Sequence, residues 1–242
     1  MQAVILAGGA GTRLRPIVSD RPKSMATFGG KPFLEYQIDT LRRHGVTEVI
    51  LCVGYLREHI ERHFGDGKHC GVHVRYSVEH VPLGTGGAVR NAASLLGDTF
   101  LLLNGDSFIE LDVGAFVEAH GKHRRGDARV VGTLAMTRVQ DASAYGSVEM
   151  DHDQRIVHYR EKATSTSPWI SAGLYALERS ILDAWPPDRA ISMENDVIPD
   201  ALDNGRLLFG HPASGFFVDI GTPEGHAHFR QYIEGNGNGH SQ

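Results

Sequence analysis

The first eleven residues constrain this chain more than any later stretch. Ala3-Val4-Ile5-Leu6-Ala7 is a short apolar run rich in branched side chains, the pattern of a strand buried on both faces. Gly8, Gly9, Ala10 and Gly11 follow at once. A strand that ends in glycines lets a ligand approach its backbone with no Cβ in the way, and successive N–H groups in such a turn converge on anionic oxygens. Arg13 and Lys23 add fixed positive charge, with Pro22 stiffening the approach to Lys23. Two phosphate-binding templates fail: G-x-G-x-x-G needs a glycine where Leu14 stands, and G-x-x-x-x-G-K-[ST] does not occur. The turn is thus a phosphate site of another kind, or a plain glycine turn between strand and helix.

The periodicity that follows alternates between the two element types. Residues 33–44 read as a helix with Leu34, Ile38 and Leu41 on one face and Gly45 as its stop. Residues 48–53 read as a strand, 56–64 as a helix, 72–78 as a strand, 81–87 as a loop, 88–96 as a helix and 100–103 as a strand. Such alternation predicts a mostly parallel sheet. After Asp106 the pattern changes: a helix over 116–123, then strands over 128–137, 146–150, 156–160 and 169–176. Short helices over 179–185 and 194–201 and a strand over 207–211 lead to a last helix opened by Thr222-Pro223-Glu224. The expectation is one α/β domain, residues 1–234, with a mixed sheet flanked by helices and a β-rich half closing over the pocket. The low-complexity GNGNGHSQ reads as a flexible tail, 235–242.

Two acids end apolar runs. Asp106 follows Phe100-Leu101-Leu102-Leu103 through Asn104-Gly105, and Asp219 follows Phe216-Phe217-Val218. In an open α/β sheet ligands bind beyond the carboxyl ends of the strands. A carboxylate there is poor company for phosphate unless a divalent cation intervenes, and Mg²⁺ is typically held by one or two carboxylates plus phosphate oxygens and water. Each Asp taken alone could equally cap a turn. Glu79, just before the 81–87 loop, is a third acid of interest. A carboxylate only accepts hydrogen bonds, so it would suit guanine, whose N1–H and N2–H donors are adjacent, better than uracil or thymine. An exposed loop position is the alternative.

Composition excludes several partners. A net charge of −5 favours neither nucleic acid nor an anionic membrane surface. No apolar run approaches the roughly eighteen residues of a spanning helix, and the N-terminus lacks signal-peptide features. Cys52 and Cys70 fit no zinc or redox spacing, so a reducing, cytoplasmic setting is expected. His59 and His63 stand at i, i+4 without an evident third ligand. Subunit count is left open, a homo-oligomer included.

The glycine stretch GGAGTRL with the later RPK closely resembles the signature of the sugar-1-phosphate nucleotidyltransferases. The likeness continues in order through PLGTGGA at 82–88, Asn104-Gly105-Asp106, Glu161-Lys162, Gly173-Leu174-Tyr175 and Asp219-Ile220-Gly221-Thr222-Pro223. It implies a Rossmann-like, glycosyltransferase-A-like fold and transfer of a nucleoside monophosphate from a triphosphate to a sugar 1-phosphate, releasing pyrophosphate. It implies Arg13, Lys23 and Asp106 as catalytic and Asp106 with Asp219 as the Mg²⁺ pair. The nucleotide would be held by Leu6, Ala7, Gly8, Gly9, Gly11, Thr12, Arg13, Lys23, Glu79, Gly84, Thr85, Gly87 and Asp106. The sugar phosphate would meet Asn104, Gly146, Glu161, Lys162 and Gly173. Ser24 and Ala163 depart from the pattern, which often has proline at both places. Within the family the blocks look most like guanylyltransferases acting on D-glycero-α-D-manno-heptose 1-phosphate, with mannose 1-phosphate guanylyltransferases next. UTP-, CTP- or dTTP-dependent relatives and a silent nucleotide-sugar-binding subunit are the alternatives, though the four signature charges are all present. Some members carry a C-terminal β-helix, and here a bare catalytic domain is expected.

Overall fold

The computed structural model describes residues 1–9, 20–139, 146–161 and 167–237. Strand β1 (Gln2–Leu6) leads to a hairpin of β2 (Thr27–Phe28) and β3 (Lys31–Pro32). Helix α1 (Phe33–Arg43), β4 (Glu48–Val53), α2 (Arg57–Phe64), β5 (His73–Val78), α3 (Gly84–Asn91) and β6 (Thr99–Asn104) follow. The second half runs β7 (Ser107–Ile109), α4 (Val113–Gly126), β8 (Val130–Arg138), β9 (Gly146–Met150), β10 (Ile156–Glu161) and β11 (Trp169–Glu178). It ends with α5 (Ile198–Asp203), β12 (Leu207–Pro212), β13 (Phe217–Asp219) and α6 (Pro223–Gly237).

Nine strands form one mixed sheet. β5, β4, β1 and β6 are parallel neighbours. β11 then runs antiparallel to β6 on one side and to β8 on the other. β12 lies parallel to β8, and the β9–β10 hairpin joins through Ile170 and Ser147. Only β10 and β11 oppose the common direction, so the mostly parallel sheet and the β-rich half are both as expected. β1 shows why the sheet must be covered twice. Ala3 and Ile5 share a core with Leu34, Ile38 and Leu41 of α1, whereas Val4 between them joins Val89 of α3 and Ile198 on the other face.

Several boundaries differ from expectation for identifiable reasons. The expected loop over 81–87 is half helix: α3 begins at Gly84, because the N–H groups of Gly86 and Gly87 find the Ile191 carbonyl at 2.9 and 3.1 Å. α3 stops at Asn91, and 93–95 form a separate 3-10 turn. Instead of one helix over 194–201, a π turn at Met193–Val197 leads into α5, where Pro199 has no N–H for a regular i→i−4 bond. The segment expected as a helix over 179–185 is only a 3-10 turn, Arg179–Leu182. α4 starts three residues early because Asp112 caps it, accepting from the Ala115 N–H at 3.0 Å. α6 runs to Gly237, through the start of the expected tail, whose last five residues lie outside the described set.

The end of the chain is fixed beside the sheet by an aromatic cluster. Phe229 of α6 lies edge-on to Phe28, Phe33 and Tyr36 at 4.9, 4.9 and 5.5 Å between ring centroids, and Phe216 stacks on Tyr232 at 3.9 Å. Such pairs add about 0.5–1.5 kcal/mol each beyond area burial. The cluster holds β13 against β7, and that pairing carries a distant aspartate to the carboxyl edge of the sheet.

Candidate active site

The carboxyl ends of β1, β4, β5 and β6 open into a cleft of about 710 Å³, within the range of small-ligand sites. Of the predicted nucleotide contacts, Leu6, Ala7, Gly8, Gly9, Lys23, Glu79, Gly84, Thr85 and Asp106 line it, as does Asn104 from the sugar set. Gly87 does not: it faces away from the cleft, where an added Cβ would stand 2.6 Å from the Arg189 carbonyl oxygen. Gly11, Thr12, Arg13 and Lys162 lie outside the described residues, and Glu161 is described by its backbone alone.

The charged centre is built from three separate places in the chain. Lys23 sits in a short 3-10 turn after Pro22, 14% exposed, with Nζ 2.5 Å from Asp106 Oδ2. Asp106 lies one glycine beyond β6 and directly before β7. β13 pairs with β7 so that Asp219 lies opposite Ser107, and the Ile220 N–H donates to the Asp106 carbonyl at 2.8 Å. The two aspartates are therefore neighbours, Asp219 ending β13 and Asp106 standing directly before β7. Gly221 makes room for them. An added Cβ there would stand 2.6 Å from Asp219 Oδ1 and 2.7 Å from Lys23 Nζ, so any side chain at this position would crowd both groups.

Glu79 occupies the other flank. Its Oε2 accepts from the Leu83 N–H at 3.1 Å, and its Oε1 is so close to Gly8 that a Cβ there would come within 2.6 Å. Burial raises its pKa above the ordinary carboxylate value, and the Leu83 N–H opposes that shift. The surface alternative is thereby excluded: Glu79 is half-buried and lines the cleft.

Thr85 also lines the cleft, yet its hydroxyl is fully engaged. It donates to Glu194 Oε2 at 2.6 Å and accepts from the Met193 N–H at 2.8 Å. Gly146 opens β9 and pairs with Glu161 in β10. Gly173 adopts φ +75° at the break in β11 and abuts Asn104, 3.2 Å from its Cβ to an added Cβ. The two cysteines are buried thiols with pKa pushed up by burial, Cys70 to about 11. His63 is bound to Glu35 at 2.9 Å.

Sequence reading left six lining side chains out of the site: Ser24, Tyr55, His80, Val81, Pro82 and Ala88. Ser24 is 4% exposed and its Oγ has no partner among the described residues, as is true of the buried Oδ1 of Asn104. Tyr55 and Val81 stand exposed at the rim. Ser24 had a signal, its place directly after Lys23, and Pro82 and Ala88 had one in the PLGTGGA block. Among the described residues one three-residue group could ligate a metal, Asp151–His152–Asp153. It lies on a hairpin turn where Asp151 Oδ1 already accepts from the N–H groups of Asp153 and Arg155 at 2.9 Å each. No helix of the described residues is long and apolar enough to cross a membrane.

Comparison with known proteins agrees with this geometry. The chain is 37% identical over 227 residues to mannose-1-phosphate guanylyltransferase of Mycobacterium tuberculosis, covering 93% of this chain and 62% of that one. It is 34% identical over 231 residues to D-glycero-alpha-D-manno-heptose 1-phosphate guanylyltransferase of Campylobacter jejuni, covering 95% of this chain and 98% of that one. Among solved structures, HddC from Yersinia pseudotuberculosis complexed with GMP-PN superposes with a TM-score of 0.82 at 31% identity, over 96% of this chain and 99% of that chain. With residues 2–234 matching its description as a whole, the chain belongs to the nucleotidyl transferase family.

Proposed function

We propose that this chain is a cytoplasmic, Mg²⁺-dependent guanylyltransferase that moves GMP from GTP onto D-glycero-α-D-manno-heptose 1-phosphate, releasing pyrophosphate and a GDP-sugar. The observation that carries the reading is the Lys23–Asp106 pair, with Asp219 alongside, at the end of a cleft floored by the glycine turn. Guanine is favoured by the inward-facing Glu79, which can accept from N1–H and N2–H together. The named relatives act as guanylyltransferases on heptose or mannose phosphates. Mannose 1-phosphate is the second reading for the sugar, favoured by the 37% identity to the mycobacterial enzyme.

In this reaction a phosphate oxygen of the sugar 1-phosphate attacks the α-phosphorus, and the bond to the pyrophosphate oxygen breaks. The attacking oxygen is already anionic at neutral pH, so no covalent protein nucleophile is needed. The protein's work is alignment and charge neutralisation. Lys23, held in place by Asp106, is set to meet the α-phosphate. The N–H groups of the glycine turn would receive the phosphate chain, with Arg13 assigned by resemblance to the pyrophosphate. Lys162 and Glu161 are assigned to the incoming sugar phosphate on the same ground. The donor set fits Mg²⁺: two hard carboxylates, Asp219 at the end of β13 and Asp106 directly before β7, the latter paired with the Lys23 ammonium. When bound, the ion supplies charge that lets these carboxylates stand beside phosphate.

The test is pyrophosphate release from GTP, ATP, UTP, CTP and dTTP, each paired with the heptose, mannose and glucose 1-phosphates, with and without EDTA. GTP with a manno-configured acceptor should be fastest, abolished by EDTA and restored by Mg²⁺. Preference for UTP or dTTP would overturn the guanine assignment. Absence of release in every pairing would overturn the enzyme reading.

A further inference from the structure

Two large apolar side chains are left open at the mouth of the cleft. Tyr55 is 42% exposed and Val81 is 62% exposed, and both line the cavity. A single exposed apolar residue is ordinary. These two, however, line the same cleft as the half-buried carboxylate of Glu79, and backbone contacts fix where their segments stand. β4 and β5 run side by side to their last pair, Val53 with Val78, and both then pass the carboxyl edge into the cleft. The Glu79 N–H donates to the Val53 carbonyl at 2.8 Å, and the Tyr55 N–H donates to the Gly8 carbonyl at 3.3 Å. Gly54 lies where the three strand ends meet: an added Cβ would be 3.2 Å from the Gly8 oxygen and 3.6 Å from the Glu79 carbonyl oxygen. Tyr55 is thus tethered by its backbone to the glycine turn, one residue past the Gly54 that packs against the Glu79 carbonyl. Val81 follows Glu79 by two residues.

An acceptor set inward and apolar surface at the rim match a planar heteroaromatic ring, which has a hydrogen-bonding edge and two apolar faces. Phosphate has no such face. We propose that Tyr55 is a positioning residue for the nucleobase: its ring stacks on the base, Val81 adds apolar cover, and Glu79 alone reads the base edge. The inference rests on the nucleotidyl-transfer reading and divides that site in two. Stacking is tolerant of which base is present, since every base has a π-face. Affinity for the nucleoside then comes from Tyr55, and choice among bases comes from Glu79.

The experiment measures dissociation constants by calorimetry for GTP, ITP (which lacks the 2-amino group) and inorganic tripolyphosphate, on the wild type, Tyr55→Ala, Tyr55→Phe and Glu79→Gln. Tyr55→Ala should weaken GTP and ITP by one common factor of about ten, the scale of a single base–aromatic stack. It should leave tripolyphosphate unchanged and raise the KM for GTP by the same factor. Tyr55→Phe should bind GTP like the wild type. Glu79→Gln should lose more for GTP than for ITP. The proposal is overturned if Tyr55→Ala binds GTP normally, or if tripolyphosphate weakens in parallel, which would mean that Tyr55 acts through the Gly8 turn. Equal losses in Tyr55→Phe and Tyr55→Ala would also overturn it, since a hydroxyl bond rather than the ring would then be at work. A wild type that prefers another triphosphate would fail the guanine reading only. The contrast between that nucleotide and tripolyphosphate would still test Tyr55, whose exposure makes a folding defect in the variants easy to exclude by thermal unfolding.

Discussion

Strand β6 begins in one cluster of charged and polar side chains and ends in another, and the two are finished to different degrees. At its amino end Thr99 donates to Glu178 Oε1 at 2.7 Å, His120 Nε2 meets the same oxygen at 3.2 Å, and Arg124 Nε donates to Oε2 at 3.2 Å. His120 Nδ1 is 3.0 Å from the Thr133 hydroxyl. Because a carboxylate only accepts, Nε2 must carry the proton, and neutral His120 then accepts from Thr133. At the carboxyl end Lys23 and Asp106 pair, but Ser24 Oγ and Asn104 Oδ1 are buried with no partner among the described residues. An unmet buried polar group costs about 1–3 kcal/mol. Two of the four such groups among the described residues line this one cleft, where an incoming ligand would complete their bonding. On the proposed function, the closed network would serve stability and the open one binding.

The sharpest way to break this comparison is to remove one charge from each cluster. Asp106→Asn and Lys23→Ala should lower turnover by roughly a hundredfold to a thousandfold, the scale for a preorganised contact to transition-state charge. Their thermal midpoints should move by no more than about 4 °C, the shift that roughly 1 kcal/mol gives a chain of this size. Glu178→Gln should do the reverse, leaving initial rates of pyrophosphate release within about twofold. Near-normal turnover in Lys23→Ala would remove the open cluster from catalysis altogether.

How much of this was legible beforehand depends on whether the cause was local. β4 was readable to the residue because Val49–Val53 is an uninterrupted apolar run that follows a helix stop and the polar Glu48. The Asp106–Asp219 pairing was readable in kind, as two apolar runs ending in acids, although only β7–β13 pairing brings them together. The glycine run at 84–87 was misread because its partner, the Ile191 carbonyl, is about a hundred residues away in sequence. Asp112 was a readable cap that the helix pattern alone overlooked. Burial of Ser24 and exposure of Tyr55 and Val81 are tertiary facts with no local signature. The Glu178 network is likewise invisible in sequence, its members coming from α4, β6, β8 and β11.

The closed network should also report itself through pH. Glu178 is desolvated, which alone would raise its pKa, but bonds from Thr99, His120 and Arg124 prevail and lower it. Its contribution is therefore present above the ordinary glutamate value and lost as pH falls through the folded value. Burial lowers the His120 pKa despite the pull of Glu178. The unfolded chain then takes up the histidine proton more readily, and stability declines as pH drops below about 6.5. Both effects have the same sign: acid destabilises. Glu178→Gln should cost about 1.5–3 kcal/mol at pH 7.5, the value of hydrogen bonds to a charged group. Denaturant titrations from pH 7.5 to 5 should show a shallower loss in His120→Asn than in the wild type. An unchanged slope would mean that the other buried histidines carry the titration.

The smallest effect separates the clusters most cleanly, because it compares one hydroxyl in each. Thr133 is fully buried and its Oγ1 is partnered by His120. Thr133→Val keeps the shape but strands Nδ1, so about 1 kcal/mol or more should be lost. Ser24 is nearly as buried, and its Oγ has no partner among the described residues to strand. Ser24→Ala removes a desolvated hydroxyl at almost no change in volume, so the ligand-free protein should be as stable as the wild type or slightly more so. If the hydroxyl serves a ligand, Ser24→Ala should instead show its loss as a smaller thermal shift on adding GTP and Mg²⁺. Destabilisation of ligand-free Ser24→Ala to the same extent as Thr133→Val would show that the two ends of β6 are alike, and that the carboxyl end is as closed as the amino end.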